Sequence, residues 1–290
     1  MTSISERFLF PPDVVPHTHF LPKHAFIMAT VNGALKSGNA SLRIAEIGSW
    51  LGASTLLWSE SILRFGGPQA AAGSSVLSID SWNPILSSED LQSAKYQFFA
   101  NAAKNDVAYN IYLHNAKAGS EAYGVPIDHI RGVSEDTLPG LGEDVFDIVY
   151  VDAGHYYDDA SIDIAHAKRM TRIGGIICGD DLNLLMEEVD IPTARANANR
   201  DLVEDPRTGK FFHPGVTLAV GEAFDAVGTC GGFWAVRKTA TDAFTAQEVR
   251  FDGLFIPSFL TEADQALFCD SVRPYYPAGF AAPHPTVPLI

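Results

Sequence analysis

The stretch VFDIVYVDAGHYYDDASIDIAHAKRMTRIGGIICGDDL, residues 145–182, constrains the fold more than any other. Phe146–Val151 is a short apolar run that ends at Asp152, and Gly175–Cys178 is a second that ends at Asp180-Asp181. Between them lies a helical pattern of roughly 13 residues, too long for a hairpin loop. A crossover of this kind makes the two strands parallel neighbours. Asp152, Asp180 and Asp181 then stand at strand carboxyl ends on one edge of one sheet, where open α/β sheets bind ligands. Three carboxylates converging beside His155 require a compensating cation. The stretch reads as an oxygen-ligand metal site next to a general base.

A length of 290 residues allows one large domain or two small ones, and 47% hydrophobic content is ordinary for a globular chain. The net charge of -15, with no Lys/Arg cluster, argues against a nucleic-acid partner. The start, MTSISERFLFPPDVVPHTHF, lacks a basic segment followed by an apolar core, so no secretory signal is expected. No run of 18 apolar residues predicts a membrane span. Cys178, Cys230 and Cys269 are odd in number and far apart, which predicts reduced thiols in a cytoplasmic protein.

In chain order, residues 1–22 read as a surface arm, and His17, His19 and His24 have no spacing that gathers them. Lys23–Ser37 reads as an amphipathic helix with Phe26, Ile27, Val31, Ala34 and Leu35 on one face. Leu42–Ile47 is the first buried strand. It runs into Glu46-Ile47-Gly48-Ser49-Trp50-Leu51-Gly52-Ala53-Ser54-Thr55 and a helix to about Arg64. Gly48 and Gly52 let the backbone approach a ligand. The spacing is G-x-x-x-G, so the dinucleotide fingerprint is absent. Residues 64–75 read as a flexible insertion.

Val76–Ile79 ends at Asp80, placed to accept hydrogen bonds from ribose hydroxyls, followed by Ser81 and Trp82. Trp82 either stacks on a purine or covers the core. Trp50, Trp58 and Trp234 read as core. Glu89–Asn105 is helical, Ile111–Tyr123 is helical or irregular, and Ile127–Gly132 is a third strand, after which Ser134 could reach an adenine edge. Asp158 and Asp159 open the crossover helix; Asp163 and His166 lie on its surface or behind the site. Asn183–His213 is polar and irregular and reads as a lid, with His213 a weaker candidate for substrate contact. A helix over Gly215–Val227 and a hairpin across Gly231-Gly232 follow. A helical piece near Glu262–Val272 precedes a Pro-rich tail suited to packing on a neighbouring subunit.

Taken together, these motifs resemble the class I S-adenosylmethionine-dependent methyltransferases over about residues 40–240. The Glu46-x-Gly48-x-x-x-Gly52 turn resembles the motif that wraps the methionine and ribose of the cofactor, and Asp80 matches the acid that holds the ribose. Asp152-Ala153-Gly154-His155 and Gly174-Gly175…Asp180-Asp181 resemble the metal-dependent O-methyltransferase branch, above all enzymes acting on macrolide sugars and their cephalosporin-type relatives.

The resemblance implies one α/β domain, Rossmann-like and doubly wound. Its mostly parallel seven-stranded sheet would carry helices on both faces and an antiparallel last strand. The arm and first helix would cover 1–40, the core 41–238 with the lid at 183–214, and an extension 239–290. S-adenosylmethionine would be held by Glu46, Gly48, Ser49, Gly52, Ser54, Asp80, Ser81, Trp82, Ser134 and Asp152. Mg²⁺ or Mn²⁺ would be held by Asp152, Asp180 and Asp181.

The chemistry stands beside the resemblance. A hydroxyl bound to a divalent cation loses its proton more readily, and His155, or Asp152 in its place, is the base. The expected acceptor is a hydroxylated small molecule, a sugar or glycosylated natural product. Alternatives are a catechol-like phenol, an NAD-dependent oxidoreductase, and a non-catalytic cofactor-binding partner in an assembly. A homo-oligomer fits the apolar tail.

Overall fold

The computed structural model describes residues 7–11, 21–84 and 94–276. Five strands run parallel: β1 (Arg43–Ile47), β2 (Ser75–Asp80), β3 (Ile127–Arg131), β4 (Phe146–Val151) and β5 (Thr171–Leu182). β9 (Gly232–Ala240) is antiparallel to β5 and carries two short strands on its other edge, β8 (Gly228–Cys230) and β10 (Ala243–Ala246). The order is β10-β9-β5-β4-β1-β2-β3 with β8 beside β9, eight strands where the sequence predicts seven. β8 is the first arm of the expected hairpin. β10 lies past residue 238, in a segment with no strand pattern of its own.

Every residue of β4 is buried, because helices cover both faces of the sheet. One face carries α1 (Leu21–Lys36), α2 (Ala53–Gly73) and α4 (Val107–Tyr123), which follows α3 (Ala94–Ala103). The single turn α5 (Ser134–Thr137) follows β3. The other face carries α6 (Tyr157–Met170) and, beyond the one-and-a-half-turn α7 (Ile191–Ala196), α8 (Pro214–Ala223).

Several expectations are corrected. α1 is buried nearly all round from Ala25 to Val31 rather than on one face. The second face is covered by the end of the chain: Phe259, Phe268 of α9 (Glu262–Val272) and Tyr275 pack on it, with the Tyr275 ring 5.5 Å from that of Phe26. Residues past 276, including most of the Pro-rich tail, lie outside the described residues, as do His17 and His19 of the arm and the first part of the helix predicted from Glu89. The predicted insertion at 64–75 is helical. α2 continues to Gly73, bending at Gly67 (φ 76°) and restarting at Pro68, whose missing N–H costs nothing in a first turn. Ile111–Tyr123 belongs wholly to α4.

The segment 183–213 is not irregular. It contains α7 and a two-stranded ribbon, β6 (Val203–Glu204) with β7 (Phe211–Phe212), over a small core of Leu184, Val189, Ala194, Phe212 and Leu218. Asp205 ties it together by accepting from the backbone N–H groups of Asp190, Arg207 and Thr208. Arg207 donates to the Val189 carbonyl within the segment, and Arg195 ties it to Glu222 of α8. No described helix is long and apolar enough to cross a membrane, and all three cysteines are unpaired.

Candidate active site

The carboxyl ends of β1, β2, β4 and β5 open onto a cavity of about 490 Å³. These ends are fastened to one another. The Gly48 N–H donates to Ile79 O and the Asp152 N–H to Ile47 O, both at 2.8 Å. Gly48 has φ 86°, and a Cβ there would lie 2.1 Å from the Asp152 carbonyl oxygen. The glycine is required because the loop after β1 crosses the end of β4; the close approach is to protein backbone as well as to the cavity.

Gly48, Ser49 and Ser54 of the first loop line the cavity, as do Asp80, Ser81 and Ser134. Asp80 Oδ2 accepts from the Ser49 and Trp50 N–H groups at 2.9 and 2.8 Å, and Oδ1 from the Trp82 N–H at 2.6 Å. The end of β2 thereby holds the loop after β1 in shape. Burial raises the Asp80 pKa, opposed by these same N–H groups.

Three residues expected to hold cofactor lie elsewhere. Glu46 is fully buried below the loop, accepting from Thr55 and, at 3.1 Å, from Ser78; burial pushes it up to about 7. Gly52 caps α2 in the left-handed conformation against Tyr112. Trp82 is 1% exposed, its ring packed on Tyr109 and Tyr112, so it covers the core and is not a stacking surface. The aromatic wall is instead Trp50, expected in the core, against Phe99 at 5.4 Å between rings. Trp58 and Trp234 are core residues as expected.

Asp152, Asp180 and Asp181 meet, each offering an oxygen within 4.8 Å of the others. Adjacent residues of a regular strand point to opposite faces. Here the β5–β9 register shifts between Gly179 and Leu182, and Asp181 adopts φ 65°. The bulge turns both acids toward the cavity.

Lys23, from the first turn of α1, reaches into the same group: its Nζ is 2.9 Å from Asp152 Oδ2 and 3.5 Å from Asp180 Oδ2. Tyr150 Oη also donates to Asp152 Oδ2, at 3.0 Å. One ammonium faces three carboxylates, and the imbalance shows. Burial and the adjacent Asp181 raise Asp180, while Asp181 is held low, against burial, by His155, His213 and Lys23. A hard divalent cation fits this oxygen donor set.

His155 lies at the mouth of the site, with Nε2 3.1 Å from Asp181 Oδ2 and Nδ1 2.5 Å from Asp201 Oδ1. His213 stands beside it, 4.4 Å between ring centres, with Nε2 3.6 Å from Asp181 Oδ1 and Nδ1 3.5 Å from Asp201 Oδ1. Burial acts to lower the His213 pKa, but Asp201 and Asp181 outweigh it and the net shift is upward. Gly215, in the first turn of α8, sets this pairing. A Cβ there would lie 2.3 Å from the His155 carbonyl oxygen, so only glycine lets α8 dock on that loop. Lys23 and Asp201 carry no signal in the sequence: one is an ordinary helix lysine, the other one acid among many in a polar segment.

Residues 45–182 match the family model described as a methyltransferase domain. That span covers the fastened strand ends and the three carboxylates. Over that span the chain matches a methyltransferase domain. No curated protein matches the chain. Among solved structures, the chain is similar to the O-methyltransferase NovP, at 18% identity over 76% of this chain and 80% of that one, with a TM-score of 0.50. It is also similar to cofactor-bound Rv0187 from MTB (17%, 81% and 86%, TM-score 0.46) and to the O-methyltransferase from Bacillus cereus in complex with SAH (17%, 74% and 80%, TM-score 0.40). The likeness to NovP is one of fold.

Proposed function

We propose that this methyltransferase moves the methyl group of S-adenosylmethionine to a hydroxyl oxygen of a small molecule, with a divalent cation, Mg²⁺ or Mn²⁺, bound at the acceptor side. The observation that carries the reading is the meeting of Asp152, Asp180 and Asp181 beside His155, at the edge of the cavity lined by the loops after β1 and β2. Gly48, Ser49, Ser54, Asp80, Ser81 and Ser134 would hold the cofactor, and the three aspartates the cation. S-adenosylmethionine supplies an electrophilic methyl on a sulfonium sulfur, and the cation lowers the pKa of an alcohol oxygen it binds.

The remaining work belongs to the chain's side chains. His155 stands within reach of the acceptor oxygen's side of the cavity and takes the hydroxyl proton. Asp181 faces His155 at Nε2, so the group that takes the proton and the group that holds the cation are in contact. Trp50 and Phe99 form an apolar wall that limits water on one side. The acceptor in this reading is a sugar hydroxyl, or one on a glycosylated natural product, by the resemblance of the Asp152–His155 and Gly174–Asp181 motifs to enzymes acting on macrolide sugars. The three unpaired thiols fit a cytoplasmic setting.

The test is Mn²⁺ binding followed by electron paramagnetic resonance, on wild type and on the triple variant Asp152→Asn, Asp180→Asn, Asp181→Asn. A panel of hydroxylated acceptors is run in parallel with methyl-labelled S-adenosylmethionine. Stoichiometric Mn²⁺ binding lost in the triple variant, with metal-stimulated transfer to one acceptor class, is expected. Equal turnover by the triple variant contradicts the reading.

A further inference from the structure

We infer that Asp201 is a positioning residue: it fixes the tautomer and the ring orientation of His155, with the proton on Nδ1 and the lone pair on Nε2 toward the cavity. The inference rests on the methyl-transfer reading for its use, but not for its test.

An imidazole acting as a base needs one defined nitrogen free of its proton and aimed at the acceptor. Left to itself, a histidine on a surface loop has neither a fixed ring plane nor a fixed tautomer. His155 lies in such a loop, between β4 and α6. Two features take that freedom away. Asp201 Oδ1 stands 2.5 Å from Nδ1, and the edge of His213 packs 4.4 Å away between ring centres. Asp201 is itself held, because Tyr96 Oη donates to its other oxygen. The two segments are also joined nearby: the Tyr157 N–H, two residues past His155, donates at 3.0 Å to the carbonyl of Ala198, three residues before Asp201.

Asp201 is only 8% exposed, so its bond to Nδ1 competes little with water. Both ring nitrogens face acceptor-only carboxylates, and the neutral ring has one proton to share; Asp201 at 2.5 Å is nearer than Asp181 at 3.1 Å, which places the proton on Nδ1. The arrangement parallels a carboxylate that holds a catalytic imidazole in the correct tautomer without taking the proton itself. Asp181, at Nε2, belongs to the acid group read as the cation site, which leaves Asp201 as the orienting carboxylate. The segment read from sequence as a lid thus supplies half of the base.

The test is the long-range proton–nitrogen NMR spectrum of uniformly labelled full-length protein, at a pH where the imidazoles are neutral. The His155 signals are identified by their loss in His155→Gln. Wild type is expected to carry the Nδ1–H tautomer at His155, the form that free imidazole side chains disfavour. Asp201→Asn is expected to shift it to Nε2–H or a mixture, with S-adenosylmethionine affinity by calorimetry changed less than threefold. An Nε2–H tautomer at His155 in wild type overturns the inference whether or not the variant folds, as does an unchanged tautomer in Asp201→Asn. Loss of S-adenosylmethionine binding by wild type would count against the proposed function and leave the tautomer result standing.

Discussion

Lys23 Nζ lies 2.9 Å from Asp152 Oδ2, inside the group of carboxylates that the sequence assigns to a metal. The ammonium is an internal counter-charge. It occupies space and electrostatic potential that a divalent cation would use, so cation entry requires it to withdraw. Lys23→Met is expected to tighten Mn²⁺ or Mg²⁺ binding by ~10-fold or more and to lower the melting temperature of the metal-free protein, with recovery on adding metal. Calorimetric metal titration and a thermal melt check both; unchanged or weaker metal binding would show that Lys23 does not compete.

His155→Ala is expected to slow methyl transfer by ~10²–10⁴-fold while leaving S-adenosylmethionine affinity nearly unchanged. The measurement is single-turnover transfer to an acceptor that the wild type uses. A loss under about threefold would place the base elsewhere, with Asp152 the next candidate.

Gly48→Ala would set a Cβ 2.1 Å from the Asp152 carbonyl oxygen at a residue with φ 86°. Backbone cannot yield there without parting β1 from β4. The variant is expected to lose ~2 kcal/mol or more of stability and most cofactor affinity. Denaturant melts and calorimetry read these separately; wild-type stability would mean the loop has room that the structure denies it.

Asp163, on α6, is 1% exposed; burial pushes its pKa from 3.8 up to about 7, with the neighbouring Ser134 hydroxyl pulling the other way. The folded protein therefore holds a proton that the unfolded chain releases first. This contribution to stability is intact below about pH 4, declines as the pH rises through the window to about 7, and is then lost, an effect of at most ~4 kcal/mol. Asp163→Asn is expected to flatten that decline and to exceed wild type in stability at pH 8. Parallel melts across the window check it, and identical slopes would remove Asp163 as the cause.

The legible parts of the sequence were those where one physical pattern had one outcome. The apolar run at Phe146–Val151 can only be a strand buried on both faces, and β4 has those bounds. The spacing to Asp180 could only be a crossover, so the three acids had to share an edge. The misread parts depended on distant partners. α1 looked amphipathic because the residues covering its second face, Phe259 and Phe268, come more than two hundred positions later. Gly66-Gly67-Pro68 looked like a loop because a helix restarting on a proline has the same local signature as a turn. Trp50, expected in the core, faces the cavity, while Trp82, open to either place, covers the core, since only the three-dimensional course of the loops decides which ring faces the cavity. Asp201 and His213 could not be paired from sequence, because the ribbon that brings them to His155 is set by Asp205 turns and by the fit of Gly215, neither of which has a periodic pattern.

The central claim is that the cavity at the ends of β1 and β2 holds S-adenosylmethionine. Calorimetric titration of S-adenosylmethionine, and separately of NAD⁺, into the purified protein tests it without any knowledge of the acceptor. The account predicts one S-adenosylmethionine bound per chain at micromolar affinity, strongly weakened in Gly48→Ala, and no heat from NAD⁺. Binding of NAD⁺, or of neither ligand to folded protein, would contradict it.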